Sequence, residues 1–170
     1  NIGGLCGFSK FCNIEGCSSS ANITTTSTSA ITIAGFIGSA FSGGASLIKG
    51  CYSIGHIELG NNGHTYSKFI GAANGGGTKT IQNCYTASTI STTVTDNQAF
   101  INSGKALNLS ISDCYYVDGS QTAISGVTIT KKSAADLKDM ASSFNSTLNW
   151  TDYQFVAGTT DTEPLIIQKK

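Results

Sequence analysis

The chain contains no arginine and a single proline, and charged residues supply only 12% of its 170 positions. Each shortage excludes something. Without arginine there is no always-charged, bidentate partner for phosphate or carboxylate groups. The ten lysines are matched by ten acidic residues, so the formal net charge is zero. A surface that tracks a nucleic-acid backbone needs clustered cations, which this composition does not supply. Long hydrophobic runs are also missing: no stretch approaches the ~20 apolar residues of a membrane-crossing helix. No secretory leader is visible. The chain starts at Asn1 without Met and enters the apolar motif Ile2-Gly3-Gly4-Leu5 at once, so it reads as a processed or partial polypeptide. Six cysteines, at 6, 12, 17, 51, 84 and 114, do not by themselves define a redox compartment.

Ser and Thr are abundant instead, with 20 glycines. That mixture suits short strands joined by tight turns. An internal repeat gives it order. Gly16-Cys17-Ser18, Gly50-Cys51-Tyr52, Asn83-Cys84-Tyr85 and Asp113-Cys114-Tyr115 recur at separations of 34, 33 and 30 residues. Three positions before each of these cysteines stands an isoleucine: Ile14, Ile48, Ile81 and Ile111. Six positions after the first three stand Ile23, Ile57 and Ile90. Upstream lie Leu5-Cys6-Gly7, Phe36-Ile37-Gly38, Phe69-Ile70-Gly71 and Phe100-Ile101-Asn102. Such regularity argues against disorder, which low charge and few aromatics could otherwise suggest. A period near 33 also fits helical ankyrin or tetratricopeptide arrays. Here, however, each unit breaks into apolar runs of a few residues between Gly, Asn, Ser and Thr, with no helical periodicity. The expectation is a β-solenoid, three short strands per coil, with coils stacked about 4.8 Å apart through parallel ladders. No coil could bury its apolar face alone, so stacking supplies the core.

Gly3-Gly4-Leu5-Cys6-Gly7, Asn83-Cys84-Tyr85 and Cys51-Tyr52-Ser53-Ile54-Gly55-His56-Ile57 resemble the GLUG repeats of large surface proteins, among them adhesins and some secreted peptidases. The likeness covers about residues 1–126. It implies a scaffold, because the enzymatic parts of such proteins lie outside the repeats. The departures are Ser18 in place of tyrosine, Phe-Ile pairs in place of Leu-Val, and a fourth unit with no isoleucine six residues after Cys114. A degenerate last unit is expected where an array ends.

Residues 127–170 differ, and read as a C-terminal cap. Ser133 and Asp136 have capping-box spacing. Leu137, Met140, Ala141 and Phe144 then form one apolar stripe, predicting a helix over 133–145. Strand-like segments around Tyr153 to Val156 and Pro164 to Ile167 follow. A helix laid across the last coil would cover open ladder edges and column ends.

Candidate chemistry is sparse. The Cys17, Cys51, Cys84 and Cys114 column reads as buried small hydrophobes, since stacked coils stand slightly too far apart for disulfides. Cys6 and Cys12, flanking a turn-like segment, are the better disulfide pair. Metal-ligand spacing is lacking, and no cofactor is called for. Gly71 to Lys79 approaches a phosphate-binding loop, but Gly77 occupies the lysine position and no helix follows, so it reads as a turn between coils. His56 and Glu58 share one strand face and read as a solvated surface pair. Thr24, Thr25, Thr26 and Thr28 suggest an ice-binding ladder, but the next unit aligns Glu58, Leu59 and Gly60 there. Glycosylation sequons begin at Asn22, Asn108, Asn145 and Asn149, although a chain this rich in Ser and Thr makes sequons by chance.

The expectation is therefore a mainly β chain: a β-solenoid of about four coils over residues 1–126, with a small helix-plus-strand cap over 127–170. Its function would be that of a non-enzymatic structural or adhesive module, extracellular or on a cell surface. The expected partners are further copies of itself, neighbouring surface-protein domains, or glycans, and neither nucleic acid nor a membrane interior. Assembly would run head-to-tail, with the Leu165-Ile166-Ile167 strand of one copy added to the open first coil of the next. The competing expectation is a carbohydrate-binding or carbohydrate-processing β-helix, which a groove of paired carboxylates or spaced aromatics would favour.

Overall fold

A computed structural model describes residues 1–41, 44–60, 64–91, 98–102 and 108–170. Among these residues the architecture is mainly β, with five parallel sheets, one antiparallel hairpin and two short helices. None of the helices is long and apolar enough to cross a membrane.

The second repeat shows the path of the chain. It contributes Thr32–Ala34, Ile37–Phe41, Ser46–Lys49, Tyr52–Ser53 and His56–Leu59, each to a different sheet. Five short strands therefore stand where three were expected. Backbone bends and left-handed residues divide the apolar runs more finely than hydrophobicity alone reveals. Every strand of this repeat pairs in parallel with the equivalent strand of a neighbouring repeat. The first repeat, including Cys6–Lys10 and Asn13–Glu15, forms one edge of all five sheets.

Register follows the aligned residues. Ile14 pairs with Ile48, Ile48 with Ile81, and Ile81 with Ile111. Ile23, Ile57 and Ile90 form a second column. Cys6, Ile37, Ile70 and Ile101 form a third. Beside it Phe36 stacks on Phe69 with ring centroids 4.8 Å apart, and Phe69 meets Phe100 at 4.6 Å. The first and third columns and the phenylalanines, with Cys51, Cys84 and Cys114, build one apolar interior, and the Ile23 column belongs to a separate cluster with Ile33 and Leu59. Each fully buried Ile or Phe contributes about 1.5–3 kcal/mol of transfer free energy, and a column repeats that gain at every step. The Ile14 column is not uniformly buried: Ile48 and Ile81 are enclosed, whereas Ile14 and Ile111 are half-buried. Outer members of a stack have a neighbour on one side only.

Tyr52, Tyr85 and Tyr115 also pair in register, on a different face from the isoleucines. Tyr52 and Tyr85 stack at 4.9 Å with rings 8° from parallel. Here the C-terminal segment packs. Helix α1 is Ala134–Asp139 and helix α2 is Ala141–Leu148. The capping box at Ser133 and Asp136 is formed reciprocally. Leu137, Phe144 and Leu148 are buried with Tyr52, Tyr85, Phe155 and Leu165 in a second core. The helices and the hairpin thus lie along the side of the array, against the tyrosine column, and not across the last repeat as expected of the helix, while Thr130–Lys131 is added to the last repeat's strand Tyr115–Tyr116. Tyrosine explains the choice, because its ring offers apolar area while its hydroxyl needs a partner. Tyr52 Oη donates to Glu163 Oε1 at 3.1 Å, and Tyr85 Oη donates to the Leu165 carbonyl. Leu165–Lys169 is itself paired antiparallel with Tyr153–Ala157. That pairing occupies one of its two edges.

Two lysines that hydrophobic patterning would place outside are enclosed. Lys68 is 1% exposed and Lys79 2%. Lys68 Nζ donates to the carbonyl and carboxylate of Asp118, at 2.9 and 3.2 Å. The Lys68 charge holds the Asp118 carboxyl below its usual range. Lys79 Nζ turns back onto the carbonyls of Gly75 and Gly77, at 3.3 and 2.9 Å. The glycine-rich stretch is thus a turn closed by its own lysine, with Gly77 packed against the Gly44 backbone.

Unequal burial along the first isoleucine column makes a testable difference. Ile81→Ala should cost about 2–5 kcal/mol, because the cavity lies between two filled neighbours. Ile14→Ala at the edge should cost clearly less. Urea unfolding of both variants checks this, and equal losses would contradict the packing described.

Candidate functional site

The most elaborate local arrangement begins at the corner before each repeat cysteine. Gly16, Gly50, Asn83 and Asp113 all have left-handed backbones, with φ of 61°, 59°, 49° and 51°. Glycine enters this region freely, and Asn and Asp enter it more readily than other residues. The backbone ladder continues through these corners: the amides of Gly16, Gly50 and Asn83 donate to the carbonyls of Lys49, Gln82 and Ser112 at 3.1, 3.0 and 3.2 Å. The thiols add a second, weaker donor to the same carbonyls. Cys51 shares its proton between the carbonyls of Lys49 (3.3 Å) and Ile14 (3.5 Å). Cys84 does so with Gln82 (3.1 Å) and Ile48 (3.7 Å), and Cys114 with Ser112 (3.3 Å) and Ile81 (3.6 Å). Cys17 donates to Glu15 at 3.3 Å. The column expected to be inert packing therefore also stitches each repeat to the one before it.

All six cysteines are free thiols. The Cys6–Cys12 bridge suggested by their spacing is not formed: Cys12 Sγ lies 2.8 Å from Ser9 Oγ, and Cys6 stands in register with Ile37. Among the described residues no group of three or more His, Cys, Asp or Glu side chains could hold a metal ion.

Trp150, the only tryptophan, is docked on the glycine corners. Helix α2 ends at Leu148 and is capped by Asn149, itself left-handed at φ 50°. The Trp150 ring lies against Phe155, with centroids 5.9 Å apart, and its Cζ2–Cη2 edge sits over Gly16 and Gly50. A Cβ at Gly50 would stand 2.4 Å from Trp150 Cη2. Lys49 Nζ reaches the Leu148 carbonyl at 3.5 Å, Lys170 Nζ bonds the Trp150 carbonyl, and the Lys170 amide donates to Asp152 at 2.9 Å.

Between this hairpin and the first repeat lies an open cleft of about 490 Å³. The first repeat contributes Glu15 and Gly16; the segment after α2 contributes Trp150, Thr151, Asp152 and Tyr153, and Ile167 completes the lining. Glu15, Thr151, Asp152 and Tyr153 are exposed, and Tyr153 shows 51% of its surface. Sequence reasoning missed this site. Glu15 and Asp152 are far apart in the chain, and no periodic pattern links them.

The remaining candidates fall elsewhere. His56 and Glu58 are both exposed on the strand His56–Leu59; His56 Nδ1 pairs with Thr89 Oγ1 at 2.8 Å, and Glu58 stands opposite Thr24. His64 is buried and its Nδ1 accepts the Ile31 amide at 3.3 Å. Thr25 pairs with Leu59, so no threonine ladder passes between these two repeats. The sequons divide into two kinds. Asn145 bonds Phe155 twice, its Oδ1 accepting the amide at 2.6 Å and its Nδ2 donating to the carbonyl at 2.8 Å. Asn108 Nδ2 donates to the Gly76 carbonyl at 2.6 Å. Those amide nitrogens are committed to the fold. Asn22 and Asn149 are exposed, with Asn22 Oδ1 accepting the His56 amide at 2.9 Å.

Comparisons with protein-family models, with curated proteins and with solved structures find no match to this chain.

Two measurements follow. Gly50→Ala should both strain the backbone and displace the indole, costing about 1–3 kcal/mol and red-shifting the emission of the single tryptophan. Gly16→Ala, whose Cβ would meet the ring at an ordinary 3.6 Å, should leave the emission near that of the parent. An unshifted spectrum in Gly50→Ala would contradict the docking. The second measurement concerns alkali. Burial pushes up the Cys84 thiol and the phenols of Tyr52, Tyr85 and Tyr115, and the Cys84 contact followed by burial pushes up Cys51. These groups are neutral when folded and ionise more easily when unfolded. Their contribution is complete below the ordinary thiol and phenol values of 9.0 and 10.0, and is lost as pH rises through that range. Denaturation midpoints should therefore fall steeply above about pH 9; a flat profile to pH 11 or so would contradict the buried columns.

Proposed function

We propose that the parallel sheets are the faces of a β-solenoid of about four coils, and that it serves as a structural or adhesive module outside a cell or on a particle surface. The supporting observation is the register. Equivalent residues of successive repeats pair directly in five separate sheets, so one building rule is applied again and again. A chain built this way gains length and surface by adding repeats. The resemblance of its motifs to GLUG repeats points the same way, as does an exterior poor in charge. The module has a scaffold role and no catalytic one.

Assembly with further copies belongs to the same reading. All five sheets end on the first repeat, whose outer surface carries Leu5, Phe8 and Phe11, exposed by 42%, 53% and 54%. Strand edges bearing large apolar side chains pair readily with other strands. With Leu165–Lys169 held in its hairpin, the donor would be the opposite edge of the array, including Leu109–Ser112. Zero net charge offers little long-range repulsion. Sedimentation from micromolar to millimolar concentration should show linear growth, and Phe8→Lys should suppress it. A parent chain that stays monomeric throughout overturns assembly. Antibody staining that appears only after permeabilisation of the source cells overturns the surface reading.

A further inference from the structure

The cleft between the first repeat and the C-terminal hairpin has the lining of a ligand site. We propose that it binds a neutral sugar ring, as a terminal residue or a short stretch of an uncharged glycan. Its volume, about 490 Å³, falls within the span of small-molecule sites and accommodates one or two pyranose rings. Its two kinds of lining suit the two kinds of surface on a sugar. Trp150 and Tyr153 present aromatic area, on which the C–H face of a pyranose packs. Glu15 and Asp152 bring carboxylates, which accept hydrogen bonds but cannot donate them and so match a ring of hydroxyl donors. Thr151 adds a hydroxyl that can donate or accept.

Charge decides between ligand classes. An acidic sugar would face two carboxylates and no guanidinium. A cationic ligand would meet two lysine charges beside the two carboxylates: Lys49, in register with Glu15, and Lys170, whose Nζ bonds the Trp150 carbonyl. The rim is thus near neutrality, and hydroxyl recognition remains. The cleft is also built before any ligand arrives. Trp150 is fixed by Phe155 and the glycine corners, so little ordering is required on binding. This site is independent of the solenoid and assembly readings, and its failure would leave them untouched.

The test is titration calorimetry and saturation-transfer NMR on the full chain. The probes are methyl glycosides of glucose, galactose, mannose and N-acetylglucosamine and their short oligomers, with sialyllactose and tetramethylammonium as acidic and cationic comparators. At least one neutral probe should bind saturably and change Trp150 emission. Asp152→Asn and Tyr153→Ala should each weaken that binding by about tenfold or more, with thermal unfolding unchanged because both side chains are exposed. Should either variant melt early, Glu15→Gln provides the same reading from the opposite wall. The proposal is overturned if no neutral probe binds, if a comparator binds more tightly, or if stable variants bind like the parent.

Discussion

The parallel ladder carried unbroken through each left-handed corner is the constraint on which the rest of the array depends. The amides of Gly16, Gly50 and Asn83 keep their partners on the neighbouring repeat although the chain turns there. Burial at such a corner favours a side chain that is apolar enough to be enclosed and still carries a weak donor, and cysteine is both. The thiols of Cys51, Cys84 and Cys114 also reach the isoleucine carbonyl of the preceding repeat, so the corner both turns the chain and ties it to its neighbour. Once the corners coincide, the isoleucine, phenylalanine and tyrosine columns fall into register with them.

Much of this was legible from spacing alone. Ile14, Ile48, Ile81 and Ile111 could be aligned because a ladder forces equivalent residues to the same place in each repeat, and the aligned residues do pair. The capping box at Ser133 was readable because it is a local four-residue geometry. Strand number was not, since short bends leave no hydrophobic signature. Nor were the enclosed lysines: Lys68 is satisfied by Asp118, which only tertiary structure brings to it, and Lys79 by the carbonyls of its own turn, whose enclosure depends on packing that hydrophobicity does not reveal. The cleft escaped for a related reason. Periodicity reveals what every repeat shares, whereas this site joins one repeat to a segment that repeats nothing.

The position of the C-terminal segment changes what it does energetically. Its strand Thr130–Lys131 covers one edge of the last repeat. Along the tyrosine column its helices and hairpin contact several repeats at once, so peeling one of them away also disturbs Phe144, Phe155 or Leu165. Local opening then becomes more cooperative than in an array held by nearest neighbours alone.

A stack of equivalent steps has a translational ambiguity: a partner that fits one step should fit the next as well. Trp150 removes it. Its ring needs a corner without a side chain at Gly50, where a Cβ would stand 2.4 Å from Cη2, and it passes Gly16 at ordinary contact distance; the next two corners, Asn83 and Asp113, carry side chains. The corner residues therefore act as a ruler with a single notch near one end. The flanking segment is indexed to that end and cannot slide along the array, and the array acquires a polarity that its repeating columns do not encode.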